Sequence, residues 1–305
     1  MVGTLVRLAE RSGAVALGLL ADLALGDPPT RWHPVGWFGR TMTTVEGLMY
    51  RDSRAAGVLH AAVGATVGVA AAAACPSVAA ATTICSAGRG LTRNANHLGR
   101  ALEAGDVERA RELLPALAGR DPSHLNETEL ARAVVESVAE NTVDAIVAPA
   151  FWALAAGSRG VFAHRALNTM DAMVGYRSDR YLEYGWAAAR LDDAAAWIPA
   201  RLTAVLVAAV RPASAGQIAT AVRLQAPAHP SPNAGVAEAA YAAALGVRVG
   251  GTNVYAGKVD RRPILGSGRV PQAADIRRAT SLCRDVTLAM VGLLVAGSAI
   301  DRLRS

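Results

Sequence analysis

Residues 55–88 pass 34 consecutive positions without an Asp, Glu, Lys or Arg. A helix of ~20 apolar residues crosses a bilayer core, so this stretch is long for one span and slightly short for two. Pro76 falls near its middle and interrupts a helix there, because proline lacks the backbone N–H. The spacing predicts a tight helical hairpin, 55–74 then 77–88, entering and returning on one side. A single long span is the alternative. Further apolar blocks lie at about 13–25, 145–157, 194–210 and 286–300, with the charges collected between them. That alternation, with 52% apolar residues and a mean hydropathy of +0.25, is the pattern of a membrane protein. The expected fold is mainly α: one multi-pass helical membrane domain over residues 1–305, with amphipathic or re-entrant helices.

Some blocks are irregular. Gly13–Leu25 is interrupted by Asp22 and lacks a clean cleavage site, which argues for a retained anchor and against a signal peptide. The block at 145–157 is short and holds Pro149. That at 194–210 holds Trp197, Pro199 and Arg201, and an arginine at bilayer centre costs ~2.5–3.5 kcal/mol. Both are expected to be re-entrant or interfacial. Gly26–Arg40, with prolines at 28, 29 and 34, reads as a structured loop. Ser123 or Asn126 is placed to cap the helix that follows, and Ser231 with Pro232 marks another helix start. The sequence LGVRVGGTNVYAG predicts a small β-hairpin near 247–255 with Gly250-Gly251 as its turn. Residues 259–284 read as a basic amphipathic segment.

The formal net charge is +6, and Lys258 is the only lysine. Arginine suits carboxylate and phosphate recognition and also cytoplasmic loops. The bases are spread over every loop without interleaved aromatics, so nucleic acid is not an expected partner. Cys75, Cys85 and Cys283 form no zinc or redox spacing.

The chemistry concentrates in ESVAENTVDAIVAPAFW, residues 136–152. On a helix, Glu136, Glu140 and Asp144 fall on one side, each rotated only about 40° from the last. Ser137 and Asn141 extend the strip. Carboxylates one turn apart, at ~6 Å, repel by roughly 3 kcal/mol at an effective dielectric of ~20. Arginines or a divalent cation such as Mg²⁺ would offset this; a solvated acidic face is the alternative. The sequence therefore nominates Glu136, Glu140, Asn141 and Asp144 as catalytic candidates, with Glu140 and Asp144 as metal ligands. The polar stretch 157–193 adds Arg165, Asn168, Asp171, Arg177, Arg180, Tyr181, Asp192 and Asp193. Asn168 and Asp171, three apart, share a helix face. His33, Arg201, Ser231, Asn233 and Asn253 complete the substrate- and phosphate-binding candidates.

Six motifs occur in order: GDPPTRWHPVGWFGR, GRDPSHL, VESVAENTVDAIVAPAFW, NTMDAMVGYRSDRYLEYGWAAARLDD with IPARLTA, HPSPNAGVAEAA and GGTNVYAG. In these the chain resembles the CobD/CbiB family of cobalamin biosynthesis, adenosylcobinamide-phosphate synthase. The resemblance implies a multi-pass enzyme of the cell membrane with its functional loops in the cytoplasm. It would join the carboxylate of (adenosyl)cobyric acid to aminopropanol, or to its phosphate, by an ATP-dependent amide ligation. Mg²⁺ and ATP are the implied cofactor and co-substrate, without a bound prosthetic group. The implied partners are the corrinoid, the amine, the bilayer and other late-step membrane enzymes of the pathway. The alternatives are a non-catalytic membrane sensor of the AmpE type and a transporter. A transporter would show repeated halves, and the sequence has no repeat.

Overall fold

The computed structural model describes residues 2–26, 33–176, 178–255 and 258–302, with side chains described except at 2–9, 253–255, 258–260 and 300–302. Among the described residues it is mainly helical, with one two-stranded antiparallel sheet. Four helical stretches are long and apolar enough to cross a membrane: Arg54–Ala74, Glu127–Val174, Trp186–Val210 and Ala273–Ala299. The chain divides into two compact units. Unit 1 is Met1–Ala87, Asp144–Ala196 and Met290–Ser305; unit 2 is Gly88–Val143 and Trp197–Ala289.

Unit 1 holds α1 (Val2–Leu25), α2 (Pro34–Met49), α3 (Arg54–Ala74), α4 (Val78–Cys85) and α8 (Ala148–Val174). It also holds the first part of α9 (Trp186–Val210). Pro76 ends the long charge-free helix as expected: α3 stops at Ala74, and Ser77 caps the short α4 by accepting from Ala80 N–H. The packing of α3 on α8 depends on missing side chains. A Cβ at Gly64 would stand 2.8 Å from Met170 Sδ, and one at Gly68 2.6 Å from the Ala166 Cβ. Close backbone approach through small residues drives helix association where the solvent is as apolar as the side chains. Met42, Ala61, Met170, Val174 and Tyr184 form the buried cluster beside this contact.

Unit 2 holds α5 (Gly88–Glu103), α6 (Val107–Leu113), α7 (Glu127–Thr142), α10 (Ala215–Leu224) and α11 (Ala234–Leu245). It also takes the second part of α9, most of α12 (Ala273–Arg302), and the strands β1 (Val249–Tyr255) and β2 (Lys258–Leu265). Asn126 caps α7 in a reciprocal box: its Oδ1 accepts from Glu129 N–H at 3.0 Å, and Glu129 Oε2 accepts from Asn126 N–H at 2.9 Å. α7 packs on α5, α11 and β1, with Leu130, Val134 and Val138 buried. Thr142 and Tyr241 hydroxyls meet at 2.7 Å inside this core.

Four expectations change. First, Gly26–Arg40, read as a loop, is helical from Pro34 on, because His33 caps α2 and Pro34 suits its first turn. Second, the blocks 145–157 and 194–210 are parts of longer helices. From α7 the chain runs through a π turn, Val143–Val147, into α8. Pro149, at the start of α8, is tolerated there because its missing N–H falls in the first turn. Gly157 kinks α8 at φ 67°, and Arg11 donates to the carbonyls of Leu154 and Ala155 just before the kink, at 3.3 and 2.9 Å. Likewise α9 begins at Trp186, so Asp192 and Asp193 lie within a helix and not before it. Third, Gly250-Gly251 are not the hairpin turn. They lie within β1 at a bulge, with φ of 90° and 97°, and the strands are joined beyond Tyr255. A Cβ at Gly250 would collide with the Pro263 carbonyl, and one at Gly251 would stand 2.6 Å from the Arg132 guanidinium. Glycine is needed here for a bulge, not for a two-residue turn. Fourth, the basic segment 259–284 is not one amphipathic element. It is β2, a connection, and the start of α12.

Candidate functional site

The acidic strip is shared between the units. Glu136 and Glu140 lie in unit 2 and Asp144 in unit 1, because the chain passes from one to the other inside the π turn.

In unit 1, Asp144 gathers most of the residues nominated from the 157–193 stretch. Asn168 Nδ2 donates to Asp144 Oδ2 at 3.1 Å, and Arg165 Nη1 donates to Asn168 Oδ1 at 3.3 Å. Asp192, from α9, faces Asp144 and Asp171, with Asp193 and the Asn168 amide beside it. Its Oδ1 is buried without a hydrogen bond. Gly175 leaves room for the Asp171 carboxylate, which a Cβ there would strike. The result is three carboxylates, with Asp192 repelled by the other two, one amide and one guanidinium, carried by the π turn, α8 and α9.

In unit 2, Glu136 has both oxygens engaged. Oε2 accepts from Arg120 at 2.5 Å, and Oε1 accepts from Gly250 N–H at 2.7 Å. Glu140 is half-buried in the field of Arg262 and Arg120. Behind them sits Glu238 on α11, 1% exposed, with neither carboxylate oxygen hydrogen-bonded. Burial, then Glu136 and Glu140, push its carboxyl well above the usual carboxylate range, against the pull of Arg262 and Arg120. His229 Nε2 stands 3.8 Å from it and Arg262 Nη1 3.9 Å. Asn141 turns back onto its own helix, donating to the Ser137 carbonyl at 2.9 Å.

The remaining nominees have local partners. His33 Nδ1 accepts from Val35 N–H at 3.2 Å and so caps α2. Arg180 pairs with Glu46 at 2.9 Å and lies 4.1 Å from the Tyr50 ring, while Tyr181 hydroxyl donates to the same Glu46 oxygen at 2.9 Å. Arg201 stacks on Trp197 at 4.2 Å and donates to Asn233 Oδ1 at 3.1 Å. Ser231 Oγ accepts from Asn233 and Ala234 N–H at 3.3 and 3.1 Å; α11 itself begins at Ala234, two residues after the expected start. Arg177 and the Asn253 side chain lie outside the described residues. Sequence reasoning missed Arg120, Arg262, Glu46, His229 and Glu238. Only Glu238 left a plain signal: it is the one charged residue of AGVAEAAYAAAL, the whole of α11.

The CobD/CbiB protein family model matches residues 15–283. The chain belongs to the CobD/CbiB family. Relatives named cobalamin biosynthesis protein CobD include one from Mycobacterium tuberculosis (strain CDC 1551 / Oshkosh), 49% identical over 290 residues, covering 90% of this chain and 92% of the relative. The protein from Rhodobacter capsulatus is 41% identical over 303 residues, covering 93% and 95%, and that from Pelobacter propionicus is 40% identical over 313, covering 94% and 95%. No solved structure matches. This CobD/CbiB protein thus has a role in cobalamin biosynthesis, and its four long apolar helices are compatible with membrane association.

The family resemblance implies Mg²⁺. Among the described residues no three His, Cys, Asp or Glu stand close enough to hold a metal ion by themselves. Mg²⁺ commonly uses one or two carboxylates and completes its shell with water and substrate phosphate. The all-oxygen set Asp144, Asp171 and Asp192, with one buried oxygen lacking a hydrogen bond, fits that use.

Proposed function

We propose that this CobD/CbiB protein forms an amide between a carboxylate of (adenosyl)cobyric acid and aminopropanol or its phosphate, at the expense of ATP. The observation that carries the reading is near end-to-end membership of a cobalamin-biosynthesis family, with the Asp144, Asn168 and Asp192 cluster intact.

A carboxylate resists attack by an amine until its oxygen is made a leaving group, which transfer of a phosphoryl group achieves. The carboxylate oxygen would form a bond to the γ-phosphorus as ADP leaves. The amine nitrogen would then attack the acyl carbon, phosphate would leave, and a base would take the amine proton. One or two of Asp144, Asp171 and Asp192, with water and substrate phosphate, would hold Mg²⁺, which when bound neutralises phosphate charge. Arg165 orients Asn168, and Asn168 in turn fixes the Asp144 carboxylate. We place the protein in the cell membrane with these residues on the cytoplasmic side, where ATP is available.

The test uses purified full-length protein in detergent with adenosylcobyric acid, aminopropanol phosphate and Mg-ATP. Mass spectrometry should find cobinamide phosphate, in step with ADP release. ATP turnover without a new amide, or no turnover with either amine, would sink the reading. The sensor alternative draws no support from the relatives' names.

A further inference from the structure

Among the described residues of unit 2, one buried carboxylate is left without a hydrogen bond. Glu136, Glu140 and Glu238 bring three carboxylates together from α7 and α11, against the two guanidiniums of Arg120 and Arg262. Glu136 is satisfied by Arg120 and by Gly250 N–H. Glu238 is not: both its oxygens are buried without a hydrogen bond, and Arg262 and His229 stop short at 3.9 and 3.8 Å. A buried carboxylate without hydrogen bonds is costly and invites a partner. His229 Nδ1 lies 3.1 Å from both the N–H and the carbonyl oxygen of Ser231, and its Nε2 faces Glu238. Gly235 makes this placement possible, since a Cβ there would stand 2.5 Å from His229 Cβ.

We infer that Glu238, with Glu140 at the less buried side of the cluster, receives the primary ammonium group of the amine substrate and takes up its proton. The inference rests on the amide-forming reaction proposed above. A primary ammonium presents three donors and one positive charge, which suits the two unused Glu238 oxygens. Burial favours a protonated Glu238 in the empty protein. On binding, one proton goes to solvent and the ammonium–carboxylate pair keeps the other. That proton passes to Glu238, which frees the nitrogen lone pair for attack. The second N–H proton, lost as the amide forms, leaves with the departing phosphate. His229 is a positioning residue, with Nε2 facing Glu238.

The experiment is calorimetric titration of the full-length protein in detergent with aminopropanol phosphate, without ATP or corrinoid. It is run at about pH 7.5, where the amine is an ammonium, in two buffers of different ionisation enthalpy. Amine binding should release protons to the buffer. Glu238→Gln should bind roughly tenfold or more weakly and release almost none. Propanol phosphate, which lacks the amine, should neither compete nor release a proton. Full competition by propanol phosphate overturns the inference using the wild-type protein alone, whether or not the variant folds. Unchanged affinity and proton release in Glu238→Gln overturns it too. Product formation by the wild type is assayed separately, so an active enzyme with an indifferent Glu238 is told apart from an enzyme of another reaction.

Discussion

Arg120 and Glu136 form an ion pair at 2.5 Å, with side chains only 4% and 2% exposed. The same carboxylate accepts Gly250 N–H, so one residue of α7 fixes both the segment before its own helix and the bulge of β1. Removing one member of such a pair leaves the other charge buried, which costs about 3–5 kcal/mol. Glu136→Gln keeps an acceptor for Gly250 but removes the negative charge paired with Arg120. Its thermal unfolding in detergent should fall well below wild type. Replacing both residues with apolar ones of similar volume should recover part of the loss. A single variant as stable as wild type would show that the pair does not brace unit 2.

The unit 1 carboxylates repel one another unless a cation is present. Asp192→Asn should therefore raise the melting temperature measured in EDTA by a few °C, on the order expected for ~1 kcal/mol. Wild type should gain stability as Mg²⁺ is added, by ligand linkage, and the variant should not. An equal Mg²⁺ response in both proteins would place the ion elsewhere.

Glu238 gives a stability signature in pH. Its folded carboxyl binds protons more tightly than the ordinary value of 4.5. As pH rises above that value the unfolded chain loses this proton while the folded one keeps it, so the contribution to stability declines with rising pH. Glutamine mimics the protonated form. Glu238→Gln should match wild type at about pH 4 and be the more stable protein at about pH 8. Coincident melting curves at both pH values would mean that Glu238 ionises freely in the fold.

Arg180 is tied to Glu46 and stacked on Tyr50, yet its side chain is 54% exposed. Glu46 beneath it is only 9% exposed and also accepts from Tyr181, while the outer donors of Arg180 remain open to a phosphate. Arg180→Lys should leave the melting temperature nearly unchanged. Lysine lacks the bidentate fork, so the apparent KM for the phosphorylated amine should rise severalfold. Wild-type kinetics would reduce Arg180 to a partner of Glu46.

A cytoplasmic site requires its loops to share one side. Single cysteines at the exposed positions Ala104, Leu182 and Ala228, with Cys75, Cys85 and Cys283 replaced, test this. None should react with a membrane-impermeant thiol reagent outside intact cells, and all should react in inverted vesicles. Labelling of any one from outside would break the shared orientation.

Local chemistry settled much of this protein before any tertiary contact. The charge-free run to Ala74 and its end at Pro76, and the capping box of Asn126 and Glu129, follow from hydropathy, a missing N–H and side-chain hydrogen bonding within a few residues. The grouping of Asn168 with Asp171 follows from helical spacing, and the family from six ordered motifs. Long-range relations were beyond those rules. The strip of Glu136, Glu140 and Asp144 is divided by a π turn, and turn type depends on what packs on either side of it. The glycines at 250 and 251 announce positive φ, but only the approach of Arg132, Glu136 and Pro263 makes them a bulge. Arg120 and Glu136 are 16 positions apart, and Arg262 and Glu238 24 apart on different elements. Whether such charges meet is decided by which helix faces pack together. Glu238 is therefore an ordinary glutamate in the sequence and a buried carboxylate without a hydrogen bond in the fold.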